Sequence, residues 1–279
     1  MKRRLLLPTD FSRNAQNAID YAINLFRDEV CEFYILNTYS IEAYTMELAL
    51  ARDLEESKKK SIAGLSNILE RLSVTDESIN HKFHMVSECG SLVDIMTDIV
   101  DKRDIDIVIM GTKGATDSSI DIYGSQTVLA MEKIRNCPVM AIPSKARFKE
   151  IKDIVFPTSY SLHYKKHDFQ ILVDIAKITK AAISVLNVLD KDEGLDEDQL
   201  NNQNRLKDYF EGLQYSFHTL NNKNVQIAVN SFVESRNSDM VVFINKKHNF
   251  FRNLLSKTMA KNLGYHSVVP VLALHDLRN

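Results

Sequence analysis

The feature that most constrains this chain is an internal duplication. Four short segments of the first half recur in the second half in the same order and with similar spacing. The pairs are LLPTDFS (6–12) with VFPTSYS (155–161), FYILNT (33–38) with ISVLNV (183–188), DIVIM (106–110) with DMVVF (239–243), and PVMAI (138–142) with PVLAL (270–274). Such a repeat predicts two domains of one fold.

The spacing between the copies changes along the chain. The first two pairs are offset by 149 and 150 positions and the last two by 133 and 132, so the second copy lacks about 17 residues between its second and third strands. We therefore predict a first domain over 1–145 and a second over 150–279, joined by a linker within 144–150. The 279 residues are comfortable for two domains.

Each copy alternates short apolar runs with longer helical patterns, which is typical of βαβ units around a parallel sheet. The runs are apolar almost throughout, as expected for strands covered on both faces. Ser12 is a plausible N-cap for the first helix. In the first copy we predict strands near 3–8, 32–37, 82–87, 106–110 and 138–142, and helices over 13–28, 41–73, 91–103 and from Ser125 to before Asn136. The predicted fold class is α/β, with two tandem Rossmann-like domains.

Composition excludes several functional classes. The net charge of −2, from 35 basic and 37 acidic residues, argues against a nucleic-acid binder. Three cysteines without a CxxC pair indicate no disulfide framework and are expected to be buried, inert thiols. No apolar stretch is long enough to span a membrane, and the start is too short to be a signal peptide, so we expect a cytoplasmic protein without a membrane partner.

Two loops of the first copy are the best candidates for a ligand site. In parallel α/β sheets, ligands bind beyond the carboxyl ends of the strands, beside helix N-termini. The first loop, 8–11, follows strand one. The second begins at Met110 after strand four and continues to a helix start at 124–127. The two loops are neighbours if strands one and four are adjacent.

The residue types in these loops suit a phosphate ligand. Gly111 and Gly114 permit close backbone approach and a positive φ. Gly124 and Ser125 lie at a helix start, where unpaired N–H groups favour anions. The hydroxyls of Ser125 and Thr127 can add hydrogen bonds, and a carboxylate in the first loop can accept from a base or ribose. The alternative is that the glycines only mark turns.

These residues resemble the nucleotide-binding members of the universal stress protein family. Gly111, Gly114, Gly124 and Ser125 match that family's G-x2-G-x9-G-(S/T) pattern position for position. The start of the chain matches the family's P-x-D-x-S pattern through Pro8, Asp10 and Ser12. The resemblance covers the whole chain as a tandem pair and implies five-stranded sheets of order 3-2-1-4-5 that bind ATP, with Mg²⁺ as an optional companion.

The resemblance also implies which residues contact the nucleotide. Asp10 and Thr38 would contact the adenosine part, although the family often has Val at the position of Thr38. The residues that would line the ribose and phosphates are Met110, Gly111, Gly114, Gly124, Ser125 and Gln126. The complete set of candidate binding residues is Pro8, Thr9, Asp10, Thr38, Met110, Gly111, Lys113, Gly114, Gly124, Ser125, Gln126 and Thr127.

The second copy departs from this pattern. At matching offsets Gly111 and Gly114 become Ile244 and Lys247, Gly124 and Ser125 become Ser256 and Lys257, and Asp10 becomes Ser159. Every glycine that would admit a phosphate is absent, so we expect no ATP site there. A basic cluster over 246–257 can instead form a rim or an anion site.

We expect neither a metal site nor catalytic residues. His163 and His167 are four apart on a predicted helix, but the Glu of HExxH is missing. The sequence thus predicts an ATP-binding protein of stress response or signalling. Its alternatives are a slow ATPase or self-phosphorylating protein that uses loop 115–123, and a ligand-free dimerisation module. The two domains are expected to pack as a pseudo-dimer, with 138–142 near 270–274. Whether the chain also forms a homodimer is left open, and the sequence identifies no protein partner.

Overall fold

The computed structural model describes residues 2–40, 47–76, 78–112, 124–190, 194–245 and 269–275. The chain divides into two compact units, the first running to Ser144 and the second beginning at Lys145. Lys113, Gly114, loop 115–123 and the basic cluster over 246–257 lie outside the described residues. Packing of the units as a pseudo-dimer stays a prediction.

The first unit alternates strands and helices as the sequence predicts. Its strands are parallel and lie in the order β3-β2-β1-β4-β5, which confirms the order that the family resemblance implies. The elements are β1 (Arg3–Pro8), α1 (Arg13–Leu25), β2 (Cys31–Tyr39), α2 (Glu47–Thr75), β3 (His81–Cys89), α3 (Leu92–Arg103), β4 (Ile107–Gly111), α4 (Ser125–Lys133) and β5 (Val139–Ile142).

Apolar runs and caps explain why these elements form. Leu5, Leu6 and Leu7 of β1 are fully buried, because helices cover both faces of the central strand. Helix α1 begins where Ser12 accepts a hydrogen bond from the Ala15 N–H at 3.2 Å, as predicted for its N-cap. The carboxyl end of β1 therefore lies directly before the N-terminus of α1.

The second unit repeats the arrangement with a parallel sheet of order β8-β7-β6-β9-β10. Helix α6 has 13 residues where α2 has 29, which accounts for the shorter offset late in the chain. The elements are β6 (Asp153–Pro157), a 3₁₀ turn (Lys166–Phe169), α5 (Gln170–Thr179), β7 (Ala182–Leu189), α6 (Glu197–Tyr209), β8 (Tyr215–Asn221), α7 (Val225–Arg236), β9 (Met240–Asn245) and β10 (Val271–His275).

Two details differ from the sequence-based expectations. The helix predicted to carry His163 and His167 begins only at Lys166, and Arg205 Nη1 lies 2.6 Å from His163 Nδ1. Cys89, at the end of β3, is exposed rather than buried, since edge strand β3 is covered less than the inner strands. Cys31 and Cys137 are buried as expected. Burial raises the pKa of Cys31 to about 12, and it also raises the pKa of Cys137.

Candidate functional site

The two candidate loops of the first unit lie side by side. Strands β1 and β4 are hydrogen-bonded neighbours, with Leu5 opposite Ile107 and Leu6 opposite Val108. Because the strands are parallel, their carboxyl ends at Pro8 and Gly111 reach the same edge of the sheet. The predicted adjacency of strands one and four is therefore confirmed, and the candidate loops lie where the strand order reverses.

The loop after β1 is fixed by a small hydrogen-bond network around Thr9. The buried Thr9 donates its N–H to Leu36 O at 2.7 Å, and its hydroxyl accepts from the Phe11 N–H at 3.0 Å. The side-chain amide of Asn37 donates to the Thr9 carbonyl at 2.7 Å. Exposed Asp10 accepts a hydrogen bond from the Ser12 N–H at 3.1 Å. The network places the Asp10 carboxylate at the rim of the site.

Phe11 anchors the same loop on helix α2. It adopts the left-handed conformation, with φ of 66°, which a non-glycine residue seldom holds without tertiary support. A Cβ at Gly64 of α2 would lie 2.5 Å from Phe11 Cζ, so the ring occupies the space that this glycine leaves. This contact was not foreseen from the sequence. A glycine inside a helical pattern was the available signal.

Gly111 is needed for packing rather than for an unusual φ. A Cβ at Gly111 would lie 2.9 Å from Asn14 Nδ2 and 3.1 Å from Asn14 O, so the first turn of α1 already fills that space. Gly111 is not in the left-handed region, and Gly124 has φ of −68°. The expectation of a positive φ at Gly111 is wrong, because the close approach there is between β4 and α1.

The N-terminus of α4 is fastened to the end of β4. Gly124 is the N-cap and donates its N–H to Thr112 O. The buried hydroxyl of Thr127 donates to Gly111 O at 2.9 Å, with Thr112 O also within reach at 3.3 Å. Ser125 and Gln126 are exposed, and no side chain caps this helix. The first turn of α4, with its unpaired N–H groups, is therefore held at the end of β4, the strand next to β1.

Most of the sequence-predicted site residues are brought to this edge. Pro8 ends β1, and Thr9 and Asp10 follow it. Met110 and Gly111 end β4, Gly124 is the N-cap of α4, and Ser125 to Thr127 form its first turn. Thr38 is half-buried near the end of β2, and Met110 is buried. Thr127 lies under the site, with its hydroxyl directed to the strand. The remaining two candidates, Lys113 and Gly114, fall in the segment that is not described.

The second unit keeps the first loop's framework. Thr158 donates its N–H to Leu186 O at 2.8 Å and accepts from the Tyr160 N–H at 2.9 Å, while Asn187 donates to Thr158 O at 2.8 Å. Tyr160 has φ of 57°, close to that of Phe11. The duplication thus preserved this turn at atomic detail.

In the second unit, however, side chains of the same unit form hydrogen bonds to the loop after β6. Tyr164 lies just before the 3₁₀ turn, and its hydroxyl is hydrogen-bonded to the hydroxyl of Thr158. From α6, Gln199 donates to Ser159 O at 3.0 Å and Asn202 donates to Tyr160 O at 2.7 Å. Burial raises the pKa of Tyr164 to about 12, with the Thr158 hydrogen bond opposing it.

Comparison with known proteins places the chain in a family. The sequence profile described as the Universal stress protein family matches residues 1–143, just over half of the chain. The chain therefore belongs to the universal stress protein family. It is similar to Universal stress protein MJ0577 of Methanocaldococcus jannaschii, with 25% identity over 159 residues that cover 52% of this chain and 97% of the relative.

Solved structures show the same tandem fold. A universal stress protein from Archaeoglobus fulgidus superposes with a TM-score of 0.71 at 15% identity, covering 98% of both chains. A universal stress protein described as putative, from Pseudomonas aeruginosa UCBPP-PA14, gives 0.57 at 13% identity, covering 98% of this chain and 93% of the other. Likeness at this identity establishes the fold alone. Among the described helices, none is long and apolar enough to cross a membrane.

Proposed function

We propose that the first unit binds one adenine nucleotide, ATP, and that the protein acts in stress response or signalling through that bound state. The observation that carries the proposal is the Thr127 linkage, which holds the start of α4 against the end of β4, the strand that neighbours β1 and the Asp10 loop after it. It assembles a helix N-terminus and an acceptor side chain at the strand-order reversal, where α/β folds bind nucleotides. The glycine motif from Gly111 to Ser125 supports it independently.

The proposed contacts follow from where each group lies. The backbone N–H groups of Ser125 and Gln126 would bind phosphate oxygens, and the Ser125 hydroxyl would add one hydrogen bond. Asp10 would accept from the ribose or base, with Thr38 beside the adenosine. Lys113 and Gly114 enter the proposal through the motif alone.

Four other candidates shape the site rather than touching the nucleotide. Thr127 would position the helix, while Pro8 and Thr9 would set the path of the β1 loop, whose Thr9 carbonyl is held by Asn37. Met110, which is buried, would form the floor. We assign no direct hydrogen bond to a phosphate to these side chains.

Mg²⁺ would enter the site together with the phosphates of ATP. Across the described ranges no group of three or more acidic, His or Cys side chains is arranged to hold a metal ion. ATP supplies its own phosphate ligands for Mg²⁺, which usually keeps several waters and needs few protein carboxylates.

We further propose that the second unit binds no nucleotide. Ile244 stands where the first unit has Gly111, and none of the motif's glycines recurs at the matching positions of the second copy. Gln199 and Asn202 already bond the carbonyls of the β6 loop. The second unit then acts as a structural partner of the first.

The function proposed is binding without efficient turnover. The described part of the site supplies backbone N–H groups and Asp10, and no base paired with a nucleophile is found among its residues. The rival function, slow hydrolysis or self-phosphorylation, would use loop 115–123. Incubating the protein with ATP and separating nucleotides by chromatography at timed intervals tests this. Intact ATP over hours supports a binder, whereas ADP that accumulates in proportion to protein, or phosphate on the chain by mass spectrometry, supports the rival.

Nucleotide identity is tested by releasing what the purified protein carries. Heat or acid denaturation followed by mass spectrometry should yield an adenine nucleotide, and titration of the stripped protein should show preference for ATP over GTP. A protein that carries no nucleotide and gives no heat with ATP, ADP or cyclic AMP would favour the ligand-free dimerisation module.

A further inference from the structure

Strand β3 is a long edge strand whose second side has no partner among the described residues. It has nine residues and pairs only with β2, in the parallel register that places His81 opposite Cys31 and Cys89 opposite Tyr39. Edge strands of this length offer a row of backbone groups to another strand, and proteins commonly protect them with charge, bulges or Pro. Neither Pro nor Gly interrupts residues 81–89.

The hydrogen bonds at its two ends show which residues face outward. The Cys31 N–H donates to Asn80 O, and the Gly90 N–H donates to Tyr39 O. Because residues alternate along a parallel ladder, the even-numbered residues of β3 bond to β2. The backbone groups of Phe83, Met85, Ser87 and Cys89 therefore point away from the sheet. These are the groups that an added strand would use.

The charges of β3 are arranged symmetrically about Met85. Lys82 lies three residues before it and Glu88 three residues after it, and both side chains are exposed. Met85 itself is 47% exposed. A strand that carries opposite charges at equal distances from its centre is complementary to an antiparallel copy of itself.

We propose that two copies of this chain associate by antiparallel pairing of β3 with β3, centred on Met85. A two-fold axis through this point makes the contact isologous, so each copy donates and accepts the same bonds. Met85 would face Met85 of the second copy, and Phe83 would face Ser87, through the outward backbone groups. Lys82 of each copy would lie opposite Glu88 of the other, at the closer, non-hydrogen-bonded positions.

The charge pattern selects this register and this occupant. Moving the centre to His84 would place Lys82 opposite Val86, and moving it to Val86 would place Glu88 opposite His84. Only the register centred on Met85 pairs both lysines with both glutamates and uses all nine residues. An unrelated peptide strand would carry a complementary Glu and Lys at these two positions only by coincidence. A second copy of this chain, paired antiparallel, always carries them at the matching positions.

The test is the oligomeric state of the full chain by analytical ultracentrifugation over a concentration series. We expect a reversible dimer. Lys82→Glu puts Glu opposite Glu at both ends of the contact, and Glu88→Lys puts Lys opposite Lys, so each should weaken dimerisation about 10-fold or more. The double variant Lys82→Glu/Glu88→Lys restores opposite charges and should dimerise like the original protein.

Mixing the two single variants gives a result that misfolding cannot imitate. A Lys82→Glu chain and a Glu88→Lys chain are complementary to each other at both charge pairs, so equal amounts should form a heterodimer more tightly than either variant forms a dimer with itself. Lys58→Glu, the same charge change at an exposed position of α2, should leave dimerisation unchanged. A protein that stays monomeric throughout would overturn the proposal and leave the charges as edge protection. A dimer that is indifferent to Lys82→Glu, or a mixture that stays monomeric, would overturn it too.

Discussion

The side-chain amide of Asn37 donates to the carbonyl of Thr9 at 2.7 Å, and it ties the end of β2 to the loop after β1. The second unit repeats the bond, with Asn187 and Thr158 at 2.8 Å. Both amides are buried, so each holds a carbonyl that would otherwise lack a partner. The same hydrogen bond therefore fixes both the loop after β1, which we propose to be part of a nucleotide site, and the loop after β6, which side chains of the second unit cover.

This duplication provides a matched pair of variants. Asn37→Ala and Asn187→Ala should each lower the free energy of unfolding by about 1–3 kcal/mol, because each leaves the carbonyl of its loop without the amide that now donates to it. Only Asn37→Ala should weaken ATP binding, since only its loop carries Asp10. Urea unfolding measures the first effect and calorimetric titration the second. Equal loss of ATP affinity in both variants would contradict a site confined to the first unit.

Thr127→Val tests the fastening of α4 to β4. The substitution keeps the shape but removes the hydroxyl that donates to Gly111 O, so we expect a loss of about 1–3 kcal/mol in stability. ATP affinity should fall as well, because the helix N-terminus is less firmly placed. Thr97→Val removes a similar hydroxyl-to-carbonyl bond on α3 and should leave ATP binding unchanged.

Ser125→Ala should have a milder effect than Thr127→Val on the fold. Ser125 is exposed, and its hydroxyl makes no hydrogen bond to another described residue, so the free energy of unfolding should stay the same. The loss in ATP binding should be about 1 kcal/mol, because the backbone N–H groups of α4 remain. A variant that is destabilised without ligand would show that Ser125 has a structural role instead.

Gly64→Ala should disturb the site from a distance. Alanine normally favours a helix over glycine by about 1 kcal/mol, but here its Cβ would meet the Phe11 ring. We expect the Phe11 ring, and with it the β1 loop, to shift. ATP affinity should therefore fall even if the substitution makes helix α2 more stable. Ala63→Gly, one position earlier on the exposed face of α2, should weaken the helix without affecting ATP. Unchanged affinity in Gly64→Ala would show that Phe11 does not position the loop.

The cysteines should differ in reactivity. Burial raises the pKa of Cys31 to about 12 and raises that of Cys137, so neither thiol is ionised at neutral pH, and both are shielded. Exposed Cys89 should react alone with a chromogenic disulfide reagent. We expect one thiol per folded chain and three after denaturation. Two or three fast-reacting thiols in the folded protein would contradict the packing of β2 or of the segment before β5.

The sequence predicted the architecture well, because the repeat and the apolar runs reflect burial directly. The strands, the Ser12 cap and the shortened helix α6 follow from patterns that act over a few residues. The adjacency of β1 and β4 followed from the family resemblance and the parallel topology.

The details of the site depend on contacts between distant segments, which no local pattern encodes. Gly111 is a glycine because Asn14 approaches it, and Gly64 is a glycine because Phe11 does. The second unit's loop is closed by Tyr164 and by amides of α6, although its sequence there showed only the loss of glycines. The exposure of Cys89 likewise depends on which strand lies at the sheet edge.

The most direct test of a single nucleotide site is calorimetric titration of the full chain with ATP. We expect one equivalent of ATP per chain. Gly114→Val should abolish most binding, because a branched side chain would fill the space assigned to the phosphates and resist a positive φ. Lys247→Ala, at the matching position of the second copy, should leave the affinity and the stoichiometry unchanged. Two equivalents per chain, or undiminished binding by the Gly114→Val protein, would contradict the account.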